Sequence, residues 1–217
     1  MSGAGRMAGD ASVLDPLEIE RCSFAIIDAE AGAHPYDDCQ WPVVRRIIHT
    51  TADFDFAAST CFAPDAVEAG VAALRRGAKV LCDTEMVRAG VNKARLSGFG
   101  SEIVCHVADP EVARQAGAAG VTRSLLAMRK GVEAGCSIFL VGNAPTALFE
   151  LLRLARAGAV QPALVVGVPV GFVGAAEAKE ALLDSGLPYI TCRGRKGGSA
   201  VAAAILNALM LLAGEES

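Results

Sequence analysis

Aromatic side chains are scarce in this sequence: one Trp, two Tyr and eight Phe among 217 residues. Ala and Gly dominate instead, which points to closely packed helices and many tight turns. No apolar run reaches the 18 or so residues of a membrane span, because a charged or turn-forming residue interrupts each one. There is no basic excess either. The formal net charge is −4, which argues against non-specific wrapping of nucleic acid. The three histidines, His34, His49 and His106, are scattered. The seven cysteines stand at least 17 residues apart, so no C-x-x-C pair exists and no zinc cluster or other metal site is expected. An odd set of dispersed cysteines reads as reduced thiols in a cytoplasmic protein. Residues 1–10 are small and polar, without the apolar stretch of a signal peptide.

What is present is a globular composition, 53% hydrophobic and 20% charged, in a chain long enough to bury a core without staples. Residues 1–14 read as a flexible arm. Asp15-Pro16 reads as a helix start, with Asp at the N-cap and Pro at the first helical position. That helix carries Leu17, Ile19, Phe24, Ile26 and Ile27. A loop over 31–38 precedes a second helix carrying Val43, Val44, Ile47 and Ile48. Beyond residue 60, short apolar runs at 78–82, 102–107, 137–141, 163–167 and 189–192 read as strands. Helical segments are expected at 64–76, 110–116, 122–134, 145–157, 175–184 and 199–212. This alternation predicts βαβ units around a parallel sheet in one doubly wound α/β domain over 15–217. Its strands are apolar without alternation, as expected where helices cover both faces. Ligands of such sheets bind at the carboxyl ends of the strands, so the loops there are the places to search.

Four segments can carry chemistry. Gly142-Asn143-Ala144-Pro145-Thr146 follows a strand and opens a helix. Its free N–H groups suit an anion, and Asn143 adds a polar reader. Gly167-Val168-Pro169-Val170-Gly171-Phe172-Val173-Gly174 lacks the dinucleotide spacing G-x-G-x-x-G. Its glycines imply close approach of a ligand or of another element. Arg193-Gly194-Arg195-Lys196-Gly197-Gly198-Ser199 puts three cations at a helix entrance, an anion site by charge and dipole. Finally, Arg46 and His49 are three residues apart and share a helix face. His is the side chain best suited to proton exchange near neutrality, and a neighbouring Arg can hold an acidic substrate. Spacing alone leaves His49 equally open to capping the helix C-terminus. Asp53 and Asp55 read as turn residues, Ser23 as a solvent-facing helix residue, and Arg123 as a cation at a helix start that calls for an anion.

Taken in order, these segments resemble the precorrin-8X methylmutase family, including its cobalt-precorrin-8 counterpart. The carrying residues are Arg21 to Ile27, Arg46-Ile47-Ile48-His49, Leu81 to Val87, Thr122-Arg123-Ser124, Gly142 to Leu148, Gly167 to Glu177 and Arg193 to Ala200. The resemblance implies a flavodoxin-like, three-layer α/β/α sandwich with a mainly parallel sheet. It implies an enzyme of cobalamin biosynthesis, an isomerase. The methyl group moves from carbon 11 to carbon 12 of the corrinoid ring, giving hydrogenobyrinate, or cobyrinate when cobalt is present. No methyl donor, flavin or nicotinamide cofactor is implied, and any metal arrives inside the substrate. A homodimer is implied, with sites near the subunit interface and no nucleic-acid or membrane partner. His49 matches the family's catalytic histidine. Ser23, Arg46 and Arg123 match substrate contacts, and Asn143 and Lys196 are expected to join them as polar readers of the substrate. The residues fit such a ligand: a flat apolar macrocycle ringed with carboxylates needs a broad cleft and scattered anion sites. A carrier without catalysis, or a nucleotide-handling protein using the glycine loops, are the competing readings. Only an enzyme has a use for the proton of His49.

Overall fold

A computed structural model describes residues 15–214, and the arm expected over 1–14 lies outside them. Eleven helices and six strands alternate among these residues. The strands are β1 (Thr60–Phe62), β2 (Val80–Cys82), β3 (Ile103–Val104), β4 (Ile138–Val141), β5 (Leu164–Gly167) and β6 (Tyr189–Cys192). They form one sheet in the order β1-β6-β5-β4-β2-β3. All neighbours are parallel except β1, which runs antiparallel along β6 with Cys61 opposite Thr191.

The five parallel strands are those expected from the sequence. Numbered among themselves, their order is 2-1-3-4-5, the flavodoxin-like winding, with β1 added at one edge. The direction of winding reverses between β2 and β4, and that switch point opens a crevice beyond their carboxyl ends.

Two apolar layers close the sheet. On one face, Val80, Ile138, Leu140, Leu164, Val166 and Ile190 pack with α2 (Trp41–Thr51), α4 (Ala66–Arg75) and α11 (Ser199–Gly214). On the other, Leu81, Phe139, Val141 and Val165 pack with α8 (Arg123–Glu133), α9 (Pro145–Arg156) and α10 (Ala175–Leu183). Successive strand side chains point to opposite faces, and both faces are buried. That is why these strands read as unbroken apolar runs. Helix α11 lies under the sheet almost wholly buried, and α2 packs along it. Helix α1 (Pro16–Ala31) lies outside α2: Asp28 holds the Trp41 indole and Arg45, while Glu20 pairs with Arg46.

Four elements were not foreseen. Strand β1 has only three residues and forms because β6 offers an open edge. Helix α3 (Asp55–Ser59) leads into it. The stretch 84–101, for which the sequence reading names no element, folds into α5 (Glu85–Gly90) and α6 (Lys93–Gly98). Thr84 and Asn92 cap them through their side chains, accepting Val87 N–H and Arg95 N–H. The remaining helix, α7 (Pro110–Ala119), starts at the Asp109-Pro110 signal. Among the described residues, no helix is long and apolar enough to cross a membrane.

Candidate active site

His49 lies in the last turn of α2, exposed to solvent. Its imidazole meets the Phe24 ring edge-on, with centroids 5.2 Å apart. Arg46, one turn earlier, lays its guanidinium over the same ring at 4.8 Å and pairs with Glu20. Phe24 of α1 is therefore the apolar platform that orients both residues. The residue is exposed, so a ligand can reach the imidazole from solvent. Helix α2 ends at Ala52, which adopts a left-handed φ of 52° and donates its N–H to Ile48 O. Backbone thus closes the helix, while the imidazole sits at its negative end. Ser23 is next to Phe24, and its hydroxyl donates to Ile19 O at 2.8 Å.

The end of α2 is fastened to the turn after β6. Lys196 Nζ lies 2.6 Å from both Asp53 Oδ2 and Asp55 Oδ2. Hydrogen bonding to Lys196 holds the Asp53 carboxyl below its ordinary value, and the two carboxylates hold Lys196 above its own. Two of the three cations at this turn have counter-ions within the protein. Arg193 pairs with Glu180, Lys196 with Asp53 and Asp55, and Arg195 lies 5.5 Å from the Phe172 ring. Asp53 and Asp55, read as simple turn residues, are the counter-ions.

The strand-to-helix turn at 142–146 also differs from expectation. Three of its backbone N–H groups are already taken within the protein. Asp83, at the end of β2, accepts Gly142 N–H at 3.1 Å and Asn143 and Ala144 N–H at 2.7 Å each. Asp83 is 2% exposed, and its burial pushes the carboxyl upward against the pull of the three donors. The anion place at this helix entrance is filled by the protein itself. Asp83 is thus the residue that locks the switch point between β2 and β4, and sequence reading missed it. A buried Asp at the end of an apolar strand was the available signal. The Asn143 side chain remains exposed at the rim.

Arg123 opens α8 beside this turn. The hydroxyls of Thr122 and Thr146 are 2.9 Å apart and join the starts of α8 and α9. This contact brings Arg123 and Asn143 to one side of the edge. Arg123 is exposed and has no ion pair among the described residues.

The glycine loops approach each other rather than a ligand. A Cβ on Gly197 would overlap the Val168 carbonyl oxygen, and Gly198 N–H donates to that oxygen at 2.8 Å. Gly171 N–H donates to Arg195 O at 3.2 Å. Gly167 packs against Leu148 and Leu182. Above this paired wall stand Phe172 and Val173, 85% and 89% exposed, an apolar tip that only the Arg195 guanidinium approaches, 5.5 Å from the Phe172 ring, among the contacts of the described residues. Two clefts of about 240 and 540 Å³ flank the C-terminal half of α11. Arg46 lines the smaller, and neither takes in His49. Among the described residues, no group of three or more His, Cys, Asp or Glu could hold a metal ion.

Residues 18–212 match the family model of precorrin-8X methylmutase. The chain is 48% identical over 201 residues to a cobalt-precorrin-8 methylmutase of Priestia megaterium, covering 92% of this chain and 89% of the relative. It is 49% identical to the cobalt-precorrin-8 methylmutase of Salmonella typhimurium, covering 91% and 96% respectively. A crystal structure of precorrin-8X methylmutase from Thermus thermophilus superposes with a TM-score of 0.85 at 47% identity, covering 91% of this chain and 96% of that one.

Proposed function

The chain belongs to the precorrin-8X methylmutase family, and on that premise we propose how its own residues carry the reaction. It is an isomerase of cobalamin biosynthesis. It moves a methyl group from carbon 11 to carbon 12 of precorrin-8X or cobalt-precorrin-8, giving hydrogenobyrinate or cobyrinate. The shift is internal: the methyl leaves one ring carbon and bonds to another while the conjugated system reorganises, so no atom is gained or lost.

His49 delivers a proton to a ring nitrogen. That makes the conjugated system a better acceptor for the migrating carbon, an effect of about 10²–10⁴-fold for general acids. Arg46 holds a peripheral carboxylate beside it, and Ser23 contributes a hydroxyl from the adjoining helix. Arg123 and Asn143 take carboxylates on the other side of the edge. Lys196 exchanges one of its two aspartates for a substrate carboxylate. Holding one conformer of the macrocycle supplies the remaining rate through orientation. The observation that carries this reading is the imidazole exposed on the Phe24 platform, one helical turn from Arg46, at the end of α2 that is tied to the turn after β6.

The protein works as a homodimer in the cytoplasm, with residues 15–217 as one methylmutase domain. Support for the dimer comes from Leu17, Ile26, Phe172 and Val173, each more than half exposed, and from the open surface around His49. Support for the compartment comes from seven unpaired cysteines.

The test is an oxygen-free absorbance time course with precorrin-8X and with cobalt-precorrin-8, wild type against His49→Ala. Conversion of at least one substrate by wild type, and its loss in the variant, is expected. Equal conversion by both proteins removes His49 from the chemistry. Binding of both substrates without conversion indicates a carrier. Light scattering should return twice the chain mass.

A further inference from the structure

Lys179 of α10 is 0% exposed, the one buried lysine among the described residues. Its Nζ donates to Lys196 O at 2.6 Å and lies 3.7 Å from Cys192 Sγ. Cys192 Sγ also approaches Lys196 O, at 3.2 Å. Among the described residues no carboxylate pairs with this ammonium. Glu180, its neighbour on the helix, turns instead to Arg193. Burial pushes the Lys179 ammonium below its ordinary value, with Cys192 working in the opposite sense.

An uncompensated buried cation is unfavourable for folding, and an apolar side chain of similar length would serve a core better. The turn above it has the opposite problem. Gly194, Gly197 and Gly198 adopt φ of 77°, 150° and 125°, conformations that leave the backbone few constraints of its own. The donor that reaches this turn from below meets it at Lys196, the residue whose side chain meets Asp53 and Asp55.

We propose that Lys179 is a positioning residue. It grips the main chain of the 193–198 turn from beneath, and so aims Lys196 at the end of α2 and at the substrate carboxylates. The inference rests on the reading of this edge as the corrinoid site. It adds a buried group that touches neither substrate nor the reacting atoms.

The test compares wild type, Lys179→Met and Lys179→Gln by thermal unfolding, amide exchange and steady-state kinetics. For Lys179→Met, the melting temperature should stay level or rise. Exchange at Gly171 and Gly198 should quicken about tenfold, and KM should rise about tenfold with kcat within about threefold. Lys179→Gln, which keeps a donor, should fall between. A lower melting temperature with native KM makes Lys179 a fold residue and overturns the proposal. Native exchange and native KM overturn it as well, and so does failure of both variants to fold. Should wild type convert neither substrate, the functional reading falls separately, and exchange alone then decides whether Lys179 holds the turn.

Discussion

Lys196 Nζ meets Asp53 Oδ2 at 2.6 Å across 143 residues of chain, and so ties the turn after β6 to the helix end that bears His49. A turn that reads in the sequence as a cationic anion site is part of a scaffold. Its charge is shared between two aspartates, and what reaches a ligand depends on which contact gives way.

Replacing either partner of that tie should loosen the site without unfolding the protein. Lys196→Ala and Asp53→Asn are each expected to raise KM about tenfold, with little change in melting temperature, because surface ion pairs contribute little to stability. The Asp53 carboxyl is held below its ordinary value by Lys196. A lowered acid keeps its contribution above the unfolded value and loses it as pH falls through the folded one. The tie therefore persists at neutral pH and fails only in strong acid. A KM that rises between pH 7 and 5 in wild type, and not in Asp53→Asn, would contradict this.

Asp83→Asn should strike at stability. The carboxylate accepts three backbone N–H groups, whereas an amide offers one oxygen and turns N–H donors toward donors. A loss of about 2 kcal/mol is expected. For a chain of this size the melting temperature should fall by about 4–8 °C. Differential scanning calorimetry decides it, and an unchanged melting point would remove Asp83 as the lock of the switch point.

His49→Ala should behave in the opposite way. The side chain is exposed and rests on one ring edge, so unfolding should hardly change. Single-turnover rates should drop by about 10²–10⁴. A loss below tenfold would confine His49 to binding.

Two glycines in one turn, both at positive φ, should show what crowding adds to backbone strain. At Gly197 a Cβ would run into the Val168 carbonyl oxygen, and φ is 150°. At Gly194 the space is open and φ is 77°. Gly197→Ala is expected to cost about 1–3 kcal/mol and to raise KM. Gly194→Ala should cost about 1 kcal/mol. Urea denaturation of both variants gives the comparison, and equal costs would mean that the two loops do not press on each other.

His106 should make the fold weaker in mild acid. Burial first, then the nearby Lys130 charge, hold it below its ordinary value, and its Nε2 has no partner among the described residues. A base with a lowered folded value contributes its full stability above its unfolded value, about pH 6.5. It loses that contribution as pH falls through the folded value. The urea midpoint should therefore decline from pH 7 to 5, and His106→Gln should flatten the decline. An equally steep decline in the variant would assign it to other groups.

Much of this architecture was legible in the chain. Five parallel strands announced themselves as apolar runs of about five residues between helical stretches, because burial on both faces leaves no polar positions along them. Pro16, Pro110 and Pro145 marked helix starts that the structure keeps. Strand β1 escaped notice because three residues carry no periodicity, and its pairing is set by an edge formed some 130 residues later in the chain. The short helices over 85–98 escaped because side-chain caps, not an apolar stripe, define them.

The site divides in the same way. The family and its reaction came from a resemblance carried by ordered segments of the sequence, and the shared helix face of Arg46 and His49 from local spacing; both are held along the chain. Whether a cation is free or already paired is not. Asp83 fills a helix entrance about 60 residues away, Lys196 finds its counter-ions more than 140 residues back, and Lys179 becomes a buried donor only when α10 folds beneath the last turn. Local propensity is written along the chain. The pairing of charges and of donors with acceptors is decided by which distant segments the sheet brings together, because a hydrogen bond or ion pair exists only at contact distance.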